Sequence, residues 1–321
     1  MQENKTRILM LALLLGIFMG SCKKDDNSNN DNNNDNNNQP DPIAVERQRV
    51  LDEYNTYYVG TNTTSTSTAW TGSTTTCTPG TITADAVSKT LIRVNYFRRC
   101  VGLNDDITFD AVKSDKCQQA ALMMHANNTL SHTPPNTWSC WTQEGSDACG
   151  SSNIAMGYSI SGSMTAYMKD DGSSNYKVGH RRWILYSRAK VMGIGHTSTY
   201  NALWVFGNSS NPLPENLPAF IPWPPKGYVP APLVFPRWSF SKRLANFSNA
   251  SVSMTDAAGN PINLSVISKT DNGYGDNTIV WEPTGINTSS TSDISYNVTV
   301  SNVKINNVDS TYTYKVTIIK P

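Results

Sequence analysis

The sequence has 321 residues, with 26 basic and 25 acidic side chains and 9% aromatic residues. The formal net charge of +1 gives no electrostatic reason for nucleic-acid binding, so we expect no nucleic-acid partner. The length suits one large domain and one small domain, and beyond the N-terminal segment no apolar run is long enough to span a bilayer.

The N-terminus has the pattern of an export signal. Lys5 and Arg7 precede an apolar run at 8–19, which is too short to cross about 30 Å of hydrocarbon. Residues 1–21 are therefore predicted to be a signal peptide. The sequence Met-Gly-Ser-Cys ending at Cys22 resembles a bacterial lipobox, so we expect a palmitate-type lipid on Cys22. The alternative is ordinary cleavage near Cys22 without a lipid.

Residues 22–42 contain mostly Asn and Asp, with nothing apolar to bury, and are predicted to be a flexible tether behind the lipid. The protein would then be attached to the bacterial outer membrane, facing the periplasm or the cell surface. Residues 43–84 are predicted to contain a helix, Ile43 to Tyr58, and then a loop rich in Thr and Ser.

The central part of the chain is predicted to alternate helices with short strands. Apolar residues at helical spacing predict a helix around 91–101, and Asp110 is the expected N-cap of a second helix that ends near Asn127. A further helix is expected at 163–169, and residues 202–206 read as a buried strand.

The chain after residue 211 changes character. Residues 212–236 hold nine of the 17 prolines and are predicted to be an extended connector between domains. Residues 237–321 alternate apolar and polar side chains between turn signals, which predicts a small all-β sandwich.

Five cysteines follow Cys22, and an exported chain is expected to form disulfides. The number is odd, so at least one thiol stays unpaired. We favour a bridge between Cys140 and Cys149, which enclose a short loop.

The sequence contains no nucleophile-elbow, zinc-protease, P-loop or dinucleotide-binding motif. Of its four histidines, His125 is expected to be a packing residue and His196 a surface residue. Arg181 and Arg182 read as solvated surface charges, and Trp183 as a core residue.

Several short motifs together resemble the CAP superfamily (cysteine-rich secretory proteins, antigen 5 and pathogenesis-related proteins), and in particular its bacterial SCP-like members. The resemblance covers roughly residues 85–211. The matching motifs, in chain order, are Asn95 and Arg98, Ser131-His132, Asn153-Ile154-Ala155, Tyr167 with Asp170, Gly179-His180, Met192-Gly193-Ile194-Gly195 and Leu203-Trp204-Val205.

The resemblance implies an α-β-α sandwich with a cleft built from two histidines and two acids. His132 corresponds to the first histidine, His180 to the second and Asp170 to the second acid. Ser152 stands where the family has its first acid. The carboxylate of Glu144 or Asp171 could take the place of that acid in the folded cleft. Asn153, Tyr167 and Asp171 are also expected to contact a ligand bound in the cleft.

We therefore expect an α+β protein, with a CAP-like α-β-α sandwich followed by a small all-β sandwich. The leading hypothesis is a non-enzymatic module that binds a small apolar molecule, a divalent metal such as zinc, or an extracellular macromolecule. A second hypothesis is a metal-dependent hydrolase or peptidase that uses His132, His180 and Asp170. A third is a surface adhesion protein whose β domain makes the contact.

Overall fold

The computed structural model describes residues 41–207, 209–269 and 273–321. The predicted signal peptide, Cys22 and nearly all of the tether lie outside these residues. No helix within the described ranges is long and apolar enough to cross a membrane.

A four-stranded sheet forms the centre of the first half. Its strands are β1 (Thr108–Phe109), β2 (Ser152–Met156), β3 (Val191–His196) and β4 (Tyr200–Trp204), in the order β1-β3-β4-β2. β1 runs parallel to β3, and the other neighbours are antiparallel. This sheet is the central layer that the α-β-α prediction requires.

Helices lie on both faces of the sheet. The helices of the first half are α1 (Pro42–Glu53), α2 (Ser65–Thr68), α3 (Ala84–Cys100), α4 (Ala111–Ala126), α5 (Gln143–Ser151), α6 (Ile160–Lys169) and α7 (Gly179–Ile184). Of these, α4 and α5 lie on one face and α3 and α6 on the other. β4 shows how the layers form, because Ala202 packs in a cluster with α4 and α5, whereas Leu203 joins the core that includes α3 and α6. Alternate side chains of a strand point to opposite faces. The predicted α-β-α sandwich is confirmed.

The predicted N-cap of α4 is confirmed, whereas α3 and α6 begin earlier than predicted, at Ala84 and Ile160. The Asp110 carboxylate accepts a hydrogen bond from the backbone N–H of Lys113 at 2.8 Å and caps α4. The predicted N-terminal helix ends earlier than Tyr58, since α1 stops at Glu53 and a π-helical turn follows over Tyr54–Tyr58.

Two further sheets form the C-terminal half. One has the order β5-β7-β10-β9 and the other β6-β12-β11-β8. The strands are β5 (Ile221–Trp223), β6 (Gly227–Pro230), β7 (Trp238–Ser241), β8 (Ser251–Asp256), β9 (Leu264–Ser268), β10 (Thr278–Pro283), β11 (Ile294–Ile305) and β12 (Val308–Ile319). Apolar side chains from both sheets share one core, so the predicted all-β sandwich is confirmed.

Residues 212–236, predicted to be only a connector, instead supply β5 and β6. β5 pairs with β7, and β6 pairs in parallel with β12. Both are edge strands, where a missing N–H is tolerated, so proline does not prevent pairing. The hydrophobic core runs without a break from α3 to β12, which makes the two halves one packed unit.

The favoured Cys140–Cys149 bridge is wrong. The disulfide joins Cys140 to Cys77, with 5.1 Å between their Cα atoms, whereas Cys149 is a free, buried thiol. Cys149 lies on α5, and its side chain packs in the buried cluster between α4, α5 and the sheet. The disulfide instead ties the Thr/Ser-rich loop to the segment after α4.

Candidate functional site

His180 and Asp170 form the best-defined polar pair of the cleft. Asp170 follows α6 in a left-handed conformation (φ 58°), which turns its carboxylate toward the first turn of α7. Its Oδ1 accepts from His180 Nδ1 at 2.7 Å, and its Oδ2 accepts from the His180 backbone N–H at 3.0 Å. The two side chains are therefore in direct contact, with Nδ1 as donor and Nε2 left as the available ring nitrogen.

His132 lies in the loop after α4 and is exposed. Its Nδ1 is 2.9 Å from the carbonyl oxygen of Cys149, so Nδ1 carries the hydrogen and Nε2 is again the available atom. The structure brings His132 and His180 to the wall of one cavity. This proximity was predicted from the resemblance alone.

Two cavities meet at His180. The aromatic cavity has a volume of about 220 Å³ and is lined by both histidines, Trp183, Phe206 and Tyr274. The apolar cavity has a volume of about 490 Å³, and its lining includes Leu130, Ile154, Met156 and Tyr158. The charged side chains of Arg93, Lys169 and Asp171 also border it. Asn175 and His180 border both cavities, so the imidazole of His180 lies between them.

Two other predicted binding residues, Asn153 and Tyr167, contact His180 and hold it in position. Asn153 is buried, and its side-chain amide donates to the carbonyl of His180 at 3.1 Å. Tyr167 donates to the carbonyl of Asn153 at 2.9 Å and packs its ring 5.4 Å from that of His180. Burial raises the pKa of Tyr167 well above its usual range, so its phenol stays protonated.

Ser152 does not compensate for the missing acid. Its hydroxyl lies 3.7 Å from the thiol of Cys117, and it lines the aromatic cavity. Of the two suggested replacements, Glu144 is on neither cavity wall, and Asp171 borders only the apolar cavity, where it pairs with Lys169.

The residues present do not fit the expected metal site. Within the described parts of the chain, no three His, Cys, Asp or Glu side chains are grouped to hold a metal ion. Asp170 binds the far side of the His180 ring and is fully buried, so it cannot be the third ligand beside Nε2. Two imidazoles alone fall short of the three protein ligands typical of catalytic zinc.

Two arginines predicted to be solvated are instead buried. Arg181 donates to the carbonyls of Met168 and Arg237, at 2.6 and 2.9 Å. Burial lowers the pKa of Arg181 to about 9, and the charge of Asp170 acts in the opposite direction. The prediction failed because most arginines in proteins are solvated, which is what the sequence alone favours. The buried carbonyl acceptors of Arg181 come from distant parts of the chain and exist only in the fold.

Trp183 is in part the core residue that the sequence predicted, whereas His196 is not where the sequence predicted it. Trp183 is half-buried and packs against the core, and it also lines the aromatic cavity. Its ring is tilted by 51° against that of Phe206, with centroids 4.7 Å apart. His196 is the last residue of β3 and is buried, with 1% exposure, not on the surface. Burial, and then the nearby His125, lower the pKa of His196 to about 4.

Tyr274, Phe206 and Lys177 also line the aromatic cavity, and the sequence did not single them out. Phe206 ends a predicted buried strand, and Lys177 comes two residues before the Gly179-His180 motif, so both carried a local signal. Tyr274 belongs to the C-terminal half and carried none.

Residues 91–207 match the family model described as CAP, the cysteine-rich secretory protein family. The matched segment contains His132, Asp170 and His180, on the α-β-α layers described above. Residues 91–207 therefore form a CAP domain, and a β-sandwich follows this domain in the chain. No curated protein matches the chain closely enough to count as a relative.

Proposed function

We propose that this protein is a lipid-anchored, extracytoplasmic binding module whose CAP cleft holds a small, largely apolar ligand. The observation that carries the proposal is the pair of cavities that meet at His180 and have apolar or aromatic walls. Clefts with apolar walls and a few convergent polar groups are the usual form of small-ligand sites.

The rim of the apolar cavity supports this function. Leu130, Met156 and Tyr158 are 39%, 45% and 49% exposed, although each has a large apolar surface. Contiguous exposed apolar side chains around a cavity are a mark of binding sites in soluble domains. A ligand in this cavity would cover the three side chains and contact His180 at its inner end.

The test is binding of N-phenyl-1-naphthylamine, a neutral apolar probe whose fluorescence rises when it leaves water. We expect saturable binding by the purified protein. Met156→Glu should weaken binding about tenfold, because a carboxylate on the rim must lose water when the probe binds.

The matched control is Val308→Glu, which changes an equally apolar and 66% exposed residue on β12, outside both cavities. It should leave the affinity unchanged. Absence of saturable binding, or equal losses in the two variants, would contradict the proposed function.

A second candidate is metal-independent hydrolysis, and the His180–Asp170 pair favours it. A carboxylate on Nδ1 fixes the tautomer and aims Nε2 at a bound water as a general base. If the protein turns over peptide or ester substrates, His180→Ala should abolish turnover, and the packing variant His125→Ala should retain it. Turnover that persists in a His132→Ala/His180→Ala double variant would remove this candidate.

The lipid anchor is tested separately in cells. Metabolic labelling with radioactive palmitate should mark the protein, and Cys22→Ala should lose both the label and membrane association. A labelled Cys22→Ala variant would exclude Cys22 as the site of attachment.

A further inference from the structure

The C-terminal half contributes a side chain to the cleft of the CAP domain. Tyr274 precedes β10 and lines the aromatic cavity beside His180. Its ring lies over Gly179, the residue before His180, where an added Cβ would lie 3.0 Å from Tyr274 Cδ1. The glycine thus leaves the space that the tyrosine ring occupies.

The segment that carries Tyr274 is fixed to α7 and to the residues after it. The guanidinium of Arg182 lies 5.5 Å from the centre of the Tyr274 ring and donates to the carbonyl of Asp276 at 3.1 Å. The carboxylate of Asp276 accepts from the backbone and hydroxyl of Ser187, at 2.9 and 3.0 Å. These contacts hold Tyr274 as a pre-positioned cavity wall.

Aromatic rings from both halves of the protein line this cavity. Trp183 and Phe206 come from the first half, with ring centroids 4.7 Å apart and planes inclined by 51°, and Tyr274 comes from the second. Phe206 is 41% exposed, although its ring is apolar. Both histidines, Lys177 and several hydroxyl and amide side chains complete the lining. The cavity therefore presents aromatic rings next to polar groups.

Aromatic walls distinguish between ligands of similar size. The face of an aromatic ring is negative and its edge is positive, so two rings attract each other in offset-stacked or edge-to-face pairs beyond the hydrophobic effect. A flat ligand ring that stacks on one of two inclined walls directs an edge toward the other. A saturated ring is thicker and lacks this charge distribution, so it gains only from the burial of apolar surface.

We propose that the aromatic cavity binds the aromatic ring of a ligand, and that Tyr274 is a ligand-contacting residue that selects aromatic over saturated rings. The proposal rests on the proposed binding function and names the chemical class of the ligand. The polar part of the lining suits a hydroxyl or carbonyl substituent on that ring.

The test compares 2-naphthalenemethanol with its saturated analogue, decahydro-2-naphthalenemethanol, by isothermal titration calorimetry on the purified protein. Burial of apolar surface alone predicts that the saturated probe binds at least as tightly, because its surface is no smaller. We expect the opposite order, with the aromatic probe binding about tenfold more tightly.

Variants separate contact from folding. Tyr274→Leu keeps an apolar side chain but removes the ring, so it should weaken the aromatic probe about fivefold and leave the saturated probe almost unchanged. Tyr274→Phe should bind both probes as the native protein does, because the ring is the contact. Tyr312→Leu, which replaces a half-buried ring of β12 outside the cavity, should change neither affinity.

Equal or tighter binding of the saturated probe would overturn the inference, and so would an aromatic preference that persists in Tyr274→Leu. Methyl β-D-glucopyranoside is the third probe, since a sugar ring also packs on aromatic walls. We expect it not to bind, and binding that depends on Tyr274 would overturn the inference in favour of a glycan. The proposed function fails separately, because it is read from N-phenyl-1-naphthylamine and from Met156→Glu in the apolar cavity.

Discussion

The Nδ1 atom of His180 lies 2.7 Å from Oδ1 of Asp170, and this contact joins the end of α6 to the start of α7. The C-terminal β-sandwich holds the same joint from the other side, since Arg237 donates to the carbonyl of Asp170 at 2.6 Å. The polar pair of the CAP cleft is therefore positioned by both halves of the protein.

Asp170→Ala should destabilise the protein by about 3–5 kcal/mol, because it leaves the buried Arg181 without its nearby negative charge. The substitution also removes the acceptors of His180 and leaves alanine at a positive φ, which costs about 1 kcal/mol more. Urea unfolding at neutral pH measures the loss.

Asp171→Ala is the matched control, since this neighbouring carboxylate is 56% exposed and forms a surface ion pair with Lys169. We expect a change below about 0.5 kcal/mol. A similar loss in both variants would show that the burial of Asp170 is not what makes its charge important.

Cys77→Ser should lower the free energy of unfolding by about 2–4 kcal/mol, because the disulfide closes a loop with a sequence separation of 63 residues. Cys149→Ser should leave the disulfide intact, since this thiol is free. Peptide mapping under non-reducing conditions distinguishes the two. A cross-linked peptide that contains Cys149 would contradict the pairing.

The site residues that could be predicted lie in short local motifs. His132 and Asp170 follow helices within a few residues, and His180 lies in the first turn of α7. The position of a helix end is a local property of the sequence. The helix caps and the period-two β strands were predictable for the same reason.

The features that the sequence did not reveal depend on contacts between distant residues. Tyr274 contacts Gly179, which is 95 positions earlier in the chain. Cys149 is the cysteine nearest to Cys140 in the sequence, but the disulfide partner of Cys140 is the distant Cys77. His196 was assigned to the surface from the turn-like glycines before it, yet those glycines belong to a central strand covered by α4. Long-range packing overrode local preference in all three cases.

The buried His196 should make the protein less stable in weak acid. Its pKa is lowered to about 4 in the folded state and is about 6.5 when unfolded, so the unfolded chain binds the extra proton first. The contribution of neutral His196 to the free energy of unfolding is complete above about pH 6.5. It decreases by about 3 kcal/mol as the pH falls to about 4. Burial lowers the pKa of His125 too, which acts in the same direction.

Urea unfolding at pH 7 and pH 4.5 gives the size of this decrease. His196→Gln should reduce the difference between the two pH values, and the exposed His132→Gln should not. An unchanged pH dependence in His196→Gln would assign the acid sensitivity to other groups.

Gly195→Ala should destabilise the CAP domain by about 3 kcal/mol or more, because α4 packs directly on β3 at this glycine. An added Cβ would lie 2.1 Å from the carbonyl carbon of Cys117, and backbone atoms cannot rotate away. The helix would have to move off the sheet.

Gly150→Ala is the control, since its Cβ meets only an ordinary contact, 3.5 Å from the carbonyl oxygen of His132. Thermal unfolding should show a large decrease in Tm for Gly195→Ala and almost none for Gly150→Ala. Equal Tm values would mean that α4 can shift without loss, and that the Gly-Ile-Gly motif has another role than close packing.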